Sequence, residues 1–186
     1  MTKKSSETSR SQNALELLKS DHEQVKKLFS KFEKLDKEDE DAKRELVEQI
    51  CNQLTVHAEI EEELFYPALR DVLDEQDILD EAQVEHDMAK QLIGDLESME
   101  PDEDLYDAKV TVLGEYVKHH VEEEEKEVFA KAKKAQLDLD TIGADMLERK
   151  QELMGEMGMD TGEEEMPDTQ HIKQKSSKKP ARHPRA

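Results

Sequence analysis

Apolar residues return every three or four positions along most of the chain, which is the signature of amphipathic helices. From about Asn13 to Asp36 the inward stripe is Leu15, Leu18, Val25, Phe29 and Phe32, with Ser11 or Asn13 available as the cap. A second stretch, about Asp39 to Asp74, carries Leu46, Ile50, Leu54, Leu64 and Leu69. Pro67 is expected to bend it, because proline lacks a backbone donor and crowds the preceding turn. A third helix covers about Glu75 to Ser98 and stops before Pro101; a fourth, about Asp102 to Ala135, presents Leu113, Val117, Val128 and Phe129. A shorter helix over about Leu139 to Met154 comes next, and from about Gly155 the periodicity is lost. Long helices with short connections predict an all-α, up-down-up-down four-helix bundle with a short extra C-terminal helix. The expected bounds are 12–135 for the bundle and 136–155 for the helical extension, with disorder at 1–11 and 156–186.

Histidines interrupt these stripes in a regular way. His22 has Leu15, Leu18, Val25 and Phe29 on its own face, and His86 has Leu79, Ala82, Ala89 and Ile93 at the same offsets. His57 follows Ile50 and Leu54, and His120 follows Leu113 and Val117. Two of the four carry a glutamate at +4, Glu61 after His57 and Glu124 after His120. Four residues advance a helix by about 6 Å and return the side chain to the same face, so each pair can reach one centre. The order His, HxxxE, His, HxxxE implies two helix pairs related by an approximate two-fold axis, with six candidate ligands meeting in the middle.

A lone histidine on an apolar face is usually satisfied core packing. Two buried glutamates are harder to absorb, since an unpaired carboxylate in low dielectric costs several kcal/mol unless neutralised or coordinated. Basic residues are absent from the core stripes, so cations are expected to supply the missing charge. Four imidazoles and two carboxylates exceed one tetrahedral zinc; they suit two redox metals, iron first and manganese next. The further acids Glu59, Glu62, Glu63, Glu122, Glu123 and Glu125 read mostly as solvated faces, and Tyr66 and Tyr116 as packing. His119 reads as a surface group or one just outside the ligands, and Cys51 as a small core residue.

Composition agrees with helices and narrows the partners. Charged residues make up 40% of the chain, and there are six Gly, five Pro and no Trp. The net charge is −21, although residues 171–186 hold six Lys or Arg and no acid. The body should therefore repel nucleic acid and anionic membrane and attract cations, leaving only the basic tail to touch an acidic partner. A single cysteine makes no internal disulfide, no stretch approaches a membrane span, and "MTKKSSETSR" lacks the apolar run of a signal peptide. The cytoplasm is the expected compartment.

The segments "KSDHEQVKKLF", "HAEIEEELFYP", "VEHDMAKQLI" and "HHVEEEEKEVF" together resemble the hemerythrin-like HHE cation-binding domains over about residues 12 to 135. The resemblance implies a hemerythrin-like bundle in which His22, His57, Glu61, His86, His120 and Glu124 hold two iron ions as an oxo-bridged di-iron centre. It implies chemistry with hydrogen peroxide, nitric oxide or dioxygen. Oxygen-carrying hemerythrins place a second histidine one turn along the third helix, where this chain has Lys90. The chain therefore looks more like bacterial members linked to peroxide breakdown, nitrosative stress or iron sensing. Catalase- or peroxidase-like turnover, or nitric-oxide chemistry, is one expectation; a non-catalytic iron or oxygen sensing or storage module is the other.

Overall fold

The computed structural model describes residues 12–74 and 76–159. Among them every regular element is helical: α1 Ala14–Phe32, α2 Glu40–Ile60, a π-helical turn Glu61–Phe65, α3 Tyr66–Arg70, α4 Asp77–Glu97, α5 Tyr106–Glu123, a second π-turn Glu124–Val128, α6 Phe129–Lys134 and α7 Leu139–Glu156. Each π-turn continues the helix before it into the helix after it, so the bundle consists of four rods. Helix α1 packs on α2 and α4 on α5, while α7 lies against α1, α2 and the first π-turn. Of the segments expected to be disordered, 1–11 and 156–186, residues 1–11 and 160–186, the basic tail included, lie outside the described residues.

Local chemistry sets the ends. Asn13 caps α1, its side chain accepting from the Glu16 N–H while the Glu16 carboxylate accepts from the Asn13 N–H. The rod ends at Phe32, earlier than the periodicity predicts, and residues 33–39 turn the chain to the Asp39 cap of α2. The fourth rod starts at Tyr106 rather than near Asp102, because residues 101–105 form turns that close on Leu105 in the left-handed region (φ 74°). Helix α7 outlasts its predicted end and finishes at Glu156. Gly158 takes φ 67°, and the Met159 N–H donates to the Met154 carbonyl at 2.9 Å, which satisfies the last turn.

The second rod corrects the sequence reading of Pro67. The irregularity lies before the proline, at Glu61–Phe65, and the same π-turn recurs at Glu124–Val128, where no proline follows, so Pro67 is not what produces it.

Two apolar clusters fill the bundle, one on each side of the histidines. One gathers Leu18, Ile60, Phe65, Leu69, Leu79, Phe129 and, from α7, Met146 and Leu153. The other gathers Val25, Ile50, Cys51, Leu113, Val117 and Val121. Phe65 and Phe129 are fully enclosed, and burial of each contributes about 1.5–3 kcal/mol. The polar belt is thus held between two dry plugs.

Gly143 lets α7 reach α1. A Cβ at this position would stand 2.5 Å from the Ala14 backbone nitrogen and 2.6 Å from the Asn13 carbonyl carbon. Neither atom can yield without shifting the start of α1. Gly143→Ala is predicted to destabilise the protein by about 1–3 kcal/mol despite alanine's better helix propensity. A melting temperature unchanged or raised in that variant would show that α7 docks more loosely than described.

Candidate metal centre

Each long helix delivers one histidine to the bundle axis: His22 from α1, His57 from α2, His86 from α4 and His120 from α5. All four are buried, between 2% and 7% exposed, and Glu61 and Glu124 are 0% and 2% exposed. Both glutamates open a π-turn. The N–H of Tyr66 donates to the Glu61 carbonyl and that of Phe129 to the Glu124 carbonyl, five residues back in each case. The extra residue per turn leaves each glutamate one turn from its histidine and rotates the remainder of the rod, bringing Tyr66 and Phe129 to the inner face. The Tyr66 ring stacks on His86 with centroids 5.6 Å apart, and Phe129 stacks on His22 at 6.0 Å.

The six side chains expected from sequence meet. His22 Nε2 lies 3.2 Å from Glu124 Oε2, and His57 Nε2 and His86 Nε2 each lie 3.3 Å from Glu61 Oε2. His86 Nε2 and His120 Nε2 are 3.3 Å apart. The ligand atoms form two groups, His22–His57–Glu61–Glu124 and Glu61–His86–His120, with Glu61 common to both.

The outer nitrogens are tied in matching fashion. His22 Nδ1 faces Glu125 at 3.0 Å and His86 Nδ1 faces Glu62 at 2.9 Å; His120 Nδ1 faces Glu85 at 2.8 Å and His57 Nδ1 faces Asp21 at 3.6 Å. A carboxylate accepts only, so His22, His86 and His120 donate from Nδ1 and turn Nε2 inward, where its lone pair is open to a metal whenever that atom is unprotonated. Two such lone pairs opposed across the axis repel unless a cation lies between them. His22 Nε2, His57 Nε2, Glu61 Oε1 and Glu124 Oε2 are buried without a hydrogen-bond partner. Four orphaned donor atoms in the middle of a bundle fit a metal site.

The family model for the hemerythrin HHE cation-binding domain matches residues 13–132. The chain belongs to that family. Over 118 residues, 63% of this chain, the HHE domain is 31% identical to a DNA nickase of Nostoc sp. (strain PCC 7120), but spans only 33% of that protein's length. It also superposes on the crystal structure of a hemerythrin HHE cation-binding domain-containing protein from Mycobacterium kansasii, with a TM-score of 0.68 and 24% identity, covering 78% of this chain and 89% of the other. That likeness concerns the fold. No helix among the described residues is long and apolar enough to cross a membrane.

Several residues that shape the HHE site were misread from sequence. Glu62 and Glu125, expected on solvated faces, hold His86 and His22. Glu85 does the same for His120, and Asp21 stands 3.6 Å from His57 Nδ1. A signal was available, because an acid directly precedes His22 and His86 and directly follows Glu61 and Glu124. Tyr66 is more than packing: its hydroxyl stands 3.4 Å from both Glu61 Oε2 and Glu124 Oε1. Basic residues do reach the belt, though from elsewhere. Lys150 of α7 binds Asp21, and Lys90 donates to both Glu62 oxygens at 2.7 Å. His119 stays outside the centre, 62% exposed at its side chain, and Cys51 sits in the core, where burial pushes its thiol up to about 12.

Without metal the HHE centre keeps protons. Burial, then the neighbouring Glu124 carboxylate, raises Glu61 well above the usual carboxylate range. Burial alone would lower His22, but the Glu124 carboxylate outweighs it and raises that imidazole. Burial, offset only in part by Asp21, holds His57 down to about 4. Glu62, despite its burial, is pulled down to about 2 by His86 and Lys90. Folded metal-free protein therefore binds His22 and Glu61 protons more tightly than the unfolded chain does. For His22 that advantage is fully present below its ordinary value of 6.5, and it is lost as pH rises through the raised value. For Glu61 it is fully present below 4.5 and is lost in the same direction. The metal-free protein is predicted to melt at lower temperature as pH goes from about 6.5 to 8, while His57 acts only below that window. Calorimetry on chelated protein checks this, and a rise across the window contradicts it.

Proposed function

We propose that this domain is a cytoplasmic non-haem di-iron protein that reacts with hydrogen peroxide, nitric oxide or dioxygen and so serves in oxidative or nitrosative stress protection. The observation that carries the reading is the meeting of buried ligand atoms from four histidines and two glutamates in two groups that share Glu61, with His22 Nε2, His57 Nε2, Glu61 Oε1 and Glu124 Oε2 lacking any hydrogen-bond partner. His22, His57 and Glu124 would hold one ion, His86 and His120 the other, with Glu61 between them. Manganese is the runner-up metal. When bound, two irons supply Lewis acidity and reversible electron transfer toward small oxidants.

The chain's own residues define what reaches such a centre. A cavity of about 40 Å³ adjoins the four histidines and is walled by Val25, Leu54, Ala89, Ile93, Val117 and Tyr116. At about 10–15 Å³ per water-sized guest it admits a molecule of a few heavy atoms and excludes organic substrates. Its walls are mostly apolar, which disfavours bulk water. The Tyr66 hydroxyl holds a proton within reach of both central carboxylates, and no equivalent exists in the other half, where Phe129 takes its place. The net charge of −21 opposes a phosphate backbone, so the nicking activity named for the Nostoc relative is not carried over to this body.

A non-catalytic sensing or storage role is favoured by a different observation, the side-by-side burial of Glu61 and Glu124. Metal binding to such a pair feeds directly into folding stability, as a sensor requires. A melting temperature indifferent to chelation would argue against that role.

Untagged protein purified in air is expected to hold near two irons per chain with oxo-to-iron charge-transfer bands, and to evolve oxygen from peroxide faster than free iron; His57→Ala should lose both. Turnover no faster than free iron would remove the catalytic reading. Glu62→Gln leaves every proposed ligand in place but weakens the hold on His86 Nδ1, and is predicted to reduce metal affinity about 10–100-fold. Unchanged affinity in a metal-competition titration would show that the outer carboxylate does not tune the site.

A further inference from the structure

The two halves of the bundle match at the centre and differ outside it. On the half covered by α7, Leu17, Val56 and Ile60 are buried with Met146 and Leu153 of that helix. The residues at equivalent positions in the other half are Glu81, His119 and Glu123, and no described helix covers them. The carboxylates that serve the histidines differ in the same way. Asp21 is neutralised by Lys150 of α7, whereas Glu85 gives one oxygen to His120 and turns the other toward His119.

Glu85, His119 and Glu123 bring three ligand atoms together at the surface. His119 Nε2 is 3.8 Å from Glu85 Oε1 and 3.6 Å from Glu123 Oε2, too far for hydrogen bonds. Ligands at about 2.1 Å from one tetrahedral cation stand about 3.4 Å apart, so the separations suit a shared ion with a small closure. A narrow cleft between α4 and the second π-turn has Glu81, Glu85 and Glu123 at its exposed end and His120 and Glu124 at its buried end. Glu124, at the buried end, turns its Oε2 to His22 Nε2 of the buried centre at 3.2 Å, so the cleft runs from the exterior cluster to one of the ligands of that centre.

We propose that Glu85, His119 and Glu123 form a second, exterior divalent-cation site at the mouth of the cleft through which metal reaches the buried centre. One imidazole and two carboxylates select borderline first-row ions such as ferrous iron or cobalt over calcium. The negative body concentrates cations at the surface, and the cluster gives them a place to shed water beside the cleft. The opposite face, sealed by α7, offers no such entry. The delivery role rests on the metal centre proposed above; the exterior site itself does not.

Cobalt(II) titrations of the full chain separate the two. Wild type should bind a weak equivalent beyond those of the centre. His119→Ala/Glu123→Gln should lose only that one, Glu122→Gln should keep it, and His57→Ala/His86→Ala should keep it while losing the tight ones. Identical isotherms for wild type and His119→Ala/Glu123→Gln, or the same loss in Glu122→Gln, would overturn the exterior site. Anaerobic ferrous loading followed by stopped flow should be about tenfold slower in His119→Ala/Glu123→Gln with unchanged final metal content. Equal loading rates would overturn the delivery role. Wild type that takes up only the weak equivalent would defeat the di-iron reading and leave the exterior site standing.

Discussion

Glu61 and Glu124 face one another across the axis of a helical bundle with almost no access to water. Two carboxylates so placed cannot both be ionised without several kcal/mol of penalty, and everything around them reads as an answer to that constraint. Four imidazoles turn Nε2 toward the centre they share. A tyrosine hydroxyl lies against both. Two apolar clusters seal the belt above and below, which keeps water from relieving the charge and leaves cations or protons to do so.

The outer carboxylates complete the arrangement. Three of the histidines are held from behind by an acid from another helical rod, which fixes ring orientation and the donating nitrogen, and Asp21 faces the fourth, His57, at 3.6 Å. The pattern follows the bundle's two-fold repeat: Glu125 serves His22 as Glu62 serves His86, and Asp21 faces His57 as Glu85 faces His120. Such cross-helix pairs make the site a property of the assembled bundle. Loss of one helix would release a ligand and also the support of another.

Departures from the repeat are where the two sides gain separate roles. Tyr66 and Phe129 stack on equivalent histidines, but only one has a hydroxyl. Helix α7 covers one half, bringing Lys150 to Asp21 and Met146 into the core. The other half keeps a polar surface leading inward through a cleft. A bundle with a symmetric centre thus has an asymmetric exterior.

Features that repeat along a single helix were legible in the chain alone: the four inward stripes, the histidine on each, and the +4 glutamates, all of which come from 3.6-residue periodicity. The capping of α1 by Asn13 was legible for the same local reason. Which acids stand behind which imidazoles depends instead on the packed bundle, since Glu125 lies 103 residues from His22 and Glu62 lies 24 from His86. The π-turns depend on it too, because one extra residue in a turn leaves no mark on apolar spacing until the partner helices show which face must be buried. The place of α7 belongs with these. Its periodicity announced a helix, but the Gly143 contact and the Lys150–Asp21 pair that seal one side of the centre exist only once distant segments have packed.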